Sequence, residues 1–140
     1  MSVVVLDASA AVRMVTRMDP VPGVSLAVSQ ADLVTAPWLF GSEVASALWK
    51  YVSHDQLSLF EAMSMMSSAL SQVDQVVATD LALLSESLSE SCQLNHPVYD
   101  MVYAVLARRL GARLATCDRR LARVATSIGV EVVGCEVEAL

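Results

Sequence analysis

Four acidic residues stand where carboxylates can do chemistry. Asp7 closes the β-branched run Val3-Val4-Val5-Leu6, and Asp118 follows the run Leu114-Ala115-Thr116 by two residues. Each alone has an ordinary explanation, because aspartate is a favoured helix N-cap. Glu43 and Asp100 are harder to explain. On a helix, positions three and four apart share a face. Around Glu43 these are Leu39, Phe40, Ser46 and Ala47, and on the same face as Asp100 lie Tyr103, Ala104 and Ala107. A carboxylate in an apolar stripe is costly unless something compensates it. One compensation is an ion pair with a buried arginine; the other is convergence of the acids on a cation. Ala45 and Ala47 beside Glu43, and Ala104 and Ala107 after Asp100, let the helices approach closely and favour convergence. Crowded carboxylates cannot all stay ionised without a cation. An all-oxygen donor set suits Mg²⁺ or Mn²⁺ over zinc or copper, and such ions activate water and stabilise displacement at phosphorus. With no histidine expected near these acids, the metal itself would have to generate the nucleophile.

The surrounding sequence predicts the elements that place these residues. Strands are expected at Val3–Leu6, Leu33–Thr35, Val73–Val77, Leu114–Thr116 and Val130–Val133. Between them, helices are expected over 7–17, 23–29, 38–52, 57–70, 80–92, 97–110 and 118–128, with Pro20 and Pro22 breaking the first and Gly111 and Gly129 ending the last two. Strands alternating with helices predict an α/β fold with a parallel sheet covered on both faces. Ligands in such folds gather beyond the carboxyl ends of the strands. Asp7 and Asp118 are therefore expected at one edge of the sheet.

Bulk properties narrow the function. The 140 residues suit one domain spanning 1–140. The longest apolar run, Met101 to Ala107, falls far short of the roughly 18–20 residues of a membrane span. The opening residues carry no basic region, so no leader peptide is expected. Cys92, Cys117 and Cys135 form no CxxC pair, and His54 and His96 lie far apart. Neither a zinc site nor a disulfide framework is expected, and a cytoplasmic location fits. The net charge of −6 argues against a general nucleic-acid coat. Yet six of the nine basic residues are arginines between 108 and 123, and Arg119 and Arg120 there are candidates for phosphate contact. Met63, Met65 and Met66 lie on one helix, as core filler or as a groove for a partner helix. Trp38 and Trp49 are expected on one helix face, in core or dimer packing.

Four segments together resemble a known family. VVVLDASAAV at Val3–Val12, GSEVASALW at Gly41–Trp49, VYDMVYAVLA at Val98–Ala107 and LATCDRRLA at Leu114–Ala122 are similar, in order and spacing, to the motifs of PIN-domain ribonucleases. The likeness is greatest to the VapC-type toxins of VapBC toxin–antitoxin pairs. The resemblance implies a PIN-like three-layer α/β/α sandwich with a central, mainly parallel sheet. It places Asp7, Glu43, Asp100 and Asp118 on the family's metal-binding acids and Thr116 and Ser9 at supporting positions. It implies a Mg²⁺- or Mn²⁺-dependent endoribonuclease leaving a 3′-hydroxyl and a 5′-phosphate. It further implies a homodimer, an RNA substrate (tRNA, rRNA or mRNA) and inhibition by a cognate antitoxin. Two alternatives compete: a nuclease of the same fold without a toxin role, and a catalytically silent acidic interaction module such as a receiver. A receiver needs an acid pair after its first strand, and here Asp7 is followed by Ala8.

Overall fold

A computed structural model of the chain describes residues 1–16 and 21–134. The expected end of the first helix at Arg17, the break at Pro20, and Met18 and Cys135 lie outside the described residues. In chain order the elements are β1 (Val3–Leu6), α1 (Ala8–Thr16), α2 (Pro22–Gln30), β2 (Leu33–Pro37), α3 (Phe40–Ser53), α4 (Leu59–Ser71), β3 (Gln75–Val77), α5 (Leu81–Leu94), α6 (Val98–Leu110), β4 (Arg113–Thr116), α7 (Arg119–Ser127) and β5 (Val132–Gly134).

The strands form one parallel sheet in the order β3-β2-β1-β4-β5. Val4, Val5 and Leu6 of β1 are all fully buried, so both faces of the central strand are covered. Helices α1, α3 and α4 pack as one group and α5, α6 and α7 as another. The result is a three-layer α/β/α sandwich. Helix α6 is its most deeply set helix: every residue from Met101 to Ala107 is buried, and it lies against β1, β2 and β4. Its small residues, Ala104 and Ala107, let it sit that close.

Local chemistry sets the boundaries. Ser58 and Glu61 form a reciprocal capping box at the start of α4. Gly111 ends α6 in the left-handed region at φ 61° and turns the chain into β4. Strand β1 lies between β2 and β4, and the chain runs outward from β1 through β2 to β3 on one side and from β4 to β5 on the other. That is the switch point where open α/β sheets bind ligands.

Two expectations fail here. Trp38 precedes α3 rather than lying on it, and Trp38 and Trp49 are 74% and 64% exposed. Phe40, Val44 and Leu48, spaced four apart, take the core face of α3 instead, which turns Trp49 outward. Cys117 is disulfide-bonded, whereas the cysteine spacing predicted no disulfide framework. Among the described residues, no helix is long and apolar enough to cross a membrane.

Candidate active site

Two hydroxyls join the ends of β1 and β4. The Asp7 backbone N–H continues the ladder to the Ala115 carbonyl at 2.9 Å. Its carboxylate Oδ2 then accepts from Ser9 Oγ at 2.5 Å and from Thr116 Oγ1 at 2.6 Å. Each hydroxyl also accepts from the loop after β4: Ser9 Oγ, across the junction, from the Cys117 N–H and Thr116 Oγ1, within its own strand end, from the Asp118 N–H, both at 3.0 Å. Ser9 and Thr116 thus hold Asp7 in place and orient the loop that carries Asp118. Asp118 caps α7, its Oδ1 accepting from the backbone of Arg120 and Leu121. The ordinary N-cap explanation therefore holds for part of Asp118, while the Asp7 side chain turns to hydroxyls.

The helix-borne acids have found neutral or histidine partners: Tyr103 for Glu43 and His96 for Asp100. Tyr103 is fully buried and donates its hydroxyl to Glu43 Oε1 at 2.7 Å. One side chain on α6 thereby reaches the acid of α3. Asp100 Oδ2 lies 3.0 Å from His96 Nε2. An ionised carboxylate only accepts, so that nitrogen carries the hydrogen. Asn95 ends α5 in the left-handed region at φ 51° and Pro97 starts α6, and this turn tucks His96 beneath Asp100. Here the sequence reading needs correction: a histidine does stand beside the acids. Its signal was the four-residue spacing from Asp100, hidden because Pro97 separates it from the predicted helix.

Electrostatics ties the acids together. Burial raises the pKa of Asp7, countered in part by the Ser9 and Thr116 hydrogen bonds, and the charges of Asp100 and Asp118 raise it further. Burial and then Asp118 raise Asp100, while His96 and Arg120 act the other way. Burial, with the charges of Asp7 and Asp100, pushes Glu43 up to about 7 despite the Tyr103 bond. Tyr103 is pushed up as well, chiefly by burial, and stays protonated. Acids that hold protons against one another are what a bound cation would relieve. Among the described residues, no three His, Cys, Asp or Glu side chains are already arranged to hold a metal. Each acid has instead turned an oxygen to a protein donor. The donor chemistry, carboxylate oxygen throughout, still fits a hard divalent ion.

The arginine cluster divides. Arg108 binds Glu86 and Glu90, each at 2.7 Å, and Arg109 binds Glu86 at 2.8 Å, so these two fasten α6 to α5. Arg120 acts on Asp100 and borders the acids. Arg119, beside it, is exposed on the first turn of α7.

The chain is similar to known proteins over most of its length. No family model matches the sequence. Ribonuclease VapC3 of Pyrobaculum aerophilum is 30% identical over 119 residues, 84% of this chain and 91% of that protein. The crystal structure of PAE2754 from Pyrobaculum aerophilum superposes with a TM-score of 0.74 at 23% identity, over 94% of this chain and 84% of the other. VapBC-1 from nontypeable Haemophilus influenzae superposes with a TM-score of 0.64 at 13% identity, over 95% and 98%. These two structural likenesses speak to the fold.

Proposed function

The chain belongs to the VapC-type family of PIN-domain ribonucleases, and from that premise we propose that it is a divalent-metal-dependent endoribonuclease, the toxin of a toxin–antitoxin pair. The observation that carries the reading is the set of mutually repelling acids at the switch point of the sheet, with Asp7, Asp100 and Asp118 acting on one another. Asp7, Asp100, Asp118 and Glu43 would hold Mg²⁺ or Mn²⁺. When bound, the ion would activate water and offset charge on the phosphate under attack.

The chain's own residues have separable tasks in this reading. Ser9 and Thr116 fix the Asp7 carboxylate by its Oδ2. Tyr103 orients Glu43, and His96 orients Asp100. Arg120 and Arg119 at the start of α7 meet backbone phosphates. Residues 1–140 act as one such domain. A groove of about 240 Å³ between α3 and α4, walled by Trp49, Leu59, Met63 and Met66, receives an apolar helix of the antitoxin, and the toxin pairs with a second copy of itself.

The test is cleavage of a structured RNA by the purified protein. Products should appear with Mg²⁺ or Mn²⁺, disappear with chelator, carry 5′-phosphates, and be lost in Asp7→Asn and Asp100→Asn. Cleavage by both variants at the parental rate would remove the four acids from the reaction.

A further inference from the structure

Beside the acids lies a cleft of about 360 Å³ that none of the residues discussed as catalytic explains. Ser9 and Cys117 are among its lining residues. Ser9 touches Asp7, and Cys117 precedes Asp118, so the cleft opens off the acidic centre itself. Basic and polar residues line it as well: Arg13 comes from α1, Lys50 and His54 from the end of α3, and Gln56 from the turn beyond. The half-buried ring of Tyr51 also lines it, together with aliphatic carbon of Val12 and Ala47.

This composition is unusual for this chain. It has one lysine, and the net charge is −6. Lys50 is exposed and makes no ion pair among the described residues. His54 Nδ1 lies 2.7 Å from the Lys50 carbonyl, which can only accept. That nitrogen therefore carries a hydrogen, which leaves Nε2 for a ligand. A cation, a ring face, an imidazole nitrogen and a primary amide together match the parts of one nucleotide: phosphate, base and ribose hydroxyl.

We propose that this cleft is a nucleotide subsite, holding the unpaired RNA residue next to the scissile phosphate. Lys50 takes the phosphate, Tyr51 stacks the base, and Gln56 and His54 meet base-edge or ribose groups. The position of the cleft relative to the reaction rests on the ribonuclease reading above; its capacity to bind a nucleotide does not.

Two measurements separate these claims. In the first, the ¹⁵N-labelled, metal-free protein is titrated with uridine and adenosine 5′-monophosphates. Amide shifts should concentrate at Lys50, Tyr51, His54 and Gln56. The Lys50→Ala/His54→Ala variant, altered only at exposed helix-end positions, should bind at least about tenfold more weakly, as loss of one charge-assisted contact requires. Shifts confined elsewhere, or affinity unchanged in the variant, overturn the subsite whether or not the protein cuts RNA. In the second, steady-state cleavage of a short single-stranded RNA is compared for the parent and Lys50→Ala. KM should rise more than kcat falls, and the slope of log affinity against log salt should shrink by about 0.7, one phosphate contact's worth. An unchanged KM and slope in an active enzyme reject the subsite and leave the ribonuclease reading intact. A parent that cuts no RNA rejects the ribonuclease reading and leaves the subsite to the nucleotide titration.

Discussion

Asp100 carries a cost in the folded chain that asparagine would not. Burial and the charge of Asp118 both oppose its ionisation, whereas an amide keeps an acceptor for His96 and adds no charge. Asp100→Asn is therefore expected to raise the melting temperature of the metal-free protein by a few degrees, roughly the effect of 1 kcal/mol in a domain of this size, while abolishing cleavage. A gain in stability with loss of activity marks a functional acid; a loss of both in differential scanning calorimetry would make Asp100 a structural residue. Tyr103 behaves oppositely. Tyr103→Phe leaves Glu43 Oε1 without its buried donor, a loss of about 1–3 kcal/mol. Chemical denaturation should show that destabilisation, and a midpoint matching the parent would deny the hydroxyl its bridging role.

At the scale of elements, the arginines on α6 and α7 are expected to separate by task. Arg109→Ala removes a half-exposed pair with Glu86 and should cost only about 0.2–1 kcal/mol, with no change in the salt dependence of RNA binding. Arg120→Ala should leave stability nearly intact and flatten that dependence. Equal salt slopes for the two variants would place Arg120 outside the interface. The elements themselves were largely legible in the sequence, because short β-branched runs and helices bounded by Gly111, Pro97 and Asp118 leave few other assignments. The approach of Asp7 to Asp118 was legible too, since both follow strands of one parallel sheet. What periodicity could not show were contacts across elements. Tyr103 was visible beside Asp100, but its bond to Glu43 spans α6 and α3. His96 sits outside the predicted helix, and its position under Asp100 depends on the left-handed turn at Asn95. The arginine cluster looked uniform along the chain, while Glu86 and Glu90, which claim part of it, lie on another helix.

For the whole molecule, stability should depend on pH in a direction opposite to that of a protein held by ion pairs. Glu43 releases its proton at about 7 when folded, against an ordinary 4.5. The fold thus binds this proton more tightly than the unfolded chain does, and stability falls as pH rises from about 4.5 to 7. Asp7 and Asp100 shift the same way. The metal-free melting temperature should decline across that interval, and Mn²⁺ should recover it most at the upper end, where the acids are charged. The central claim, that these acids form one cation site, is tested most directly by titrating Mn²⁺ and following the free ion by electron paramagnetic resonance. The parent should take up Mn²⁺, Asp7→Asn and Asp100→Asn should each bind it at least about tenfold more weakly, as loss of a charged ligand implies, and Arg109→Ala should match the parent. Uptake of Mn²⁺ by both asparagine variants with the parental affinity would contradict the account.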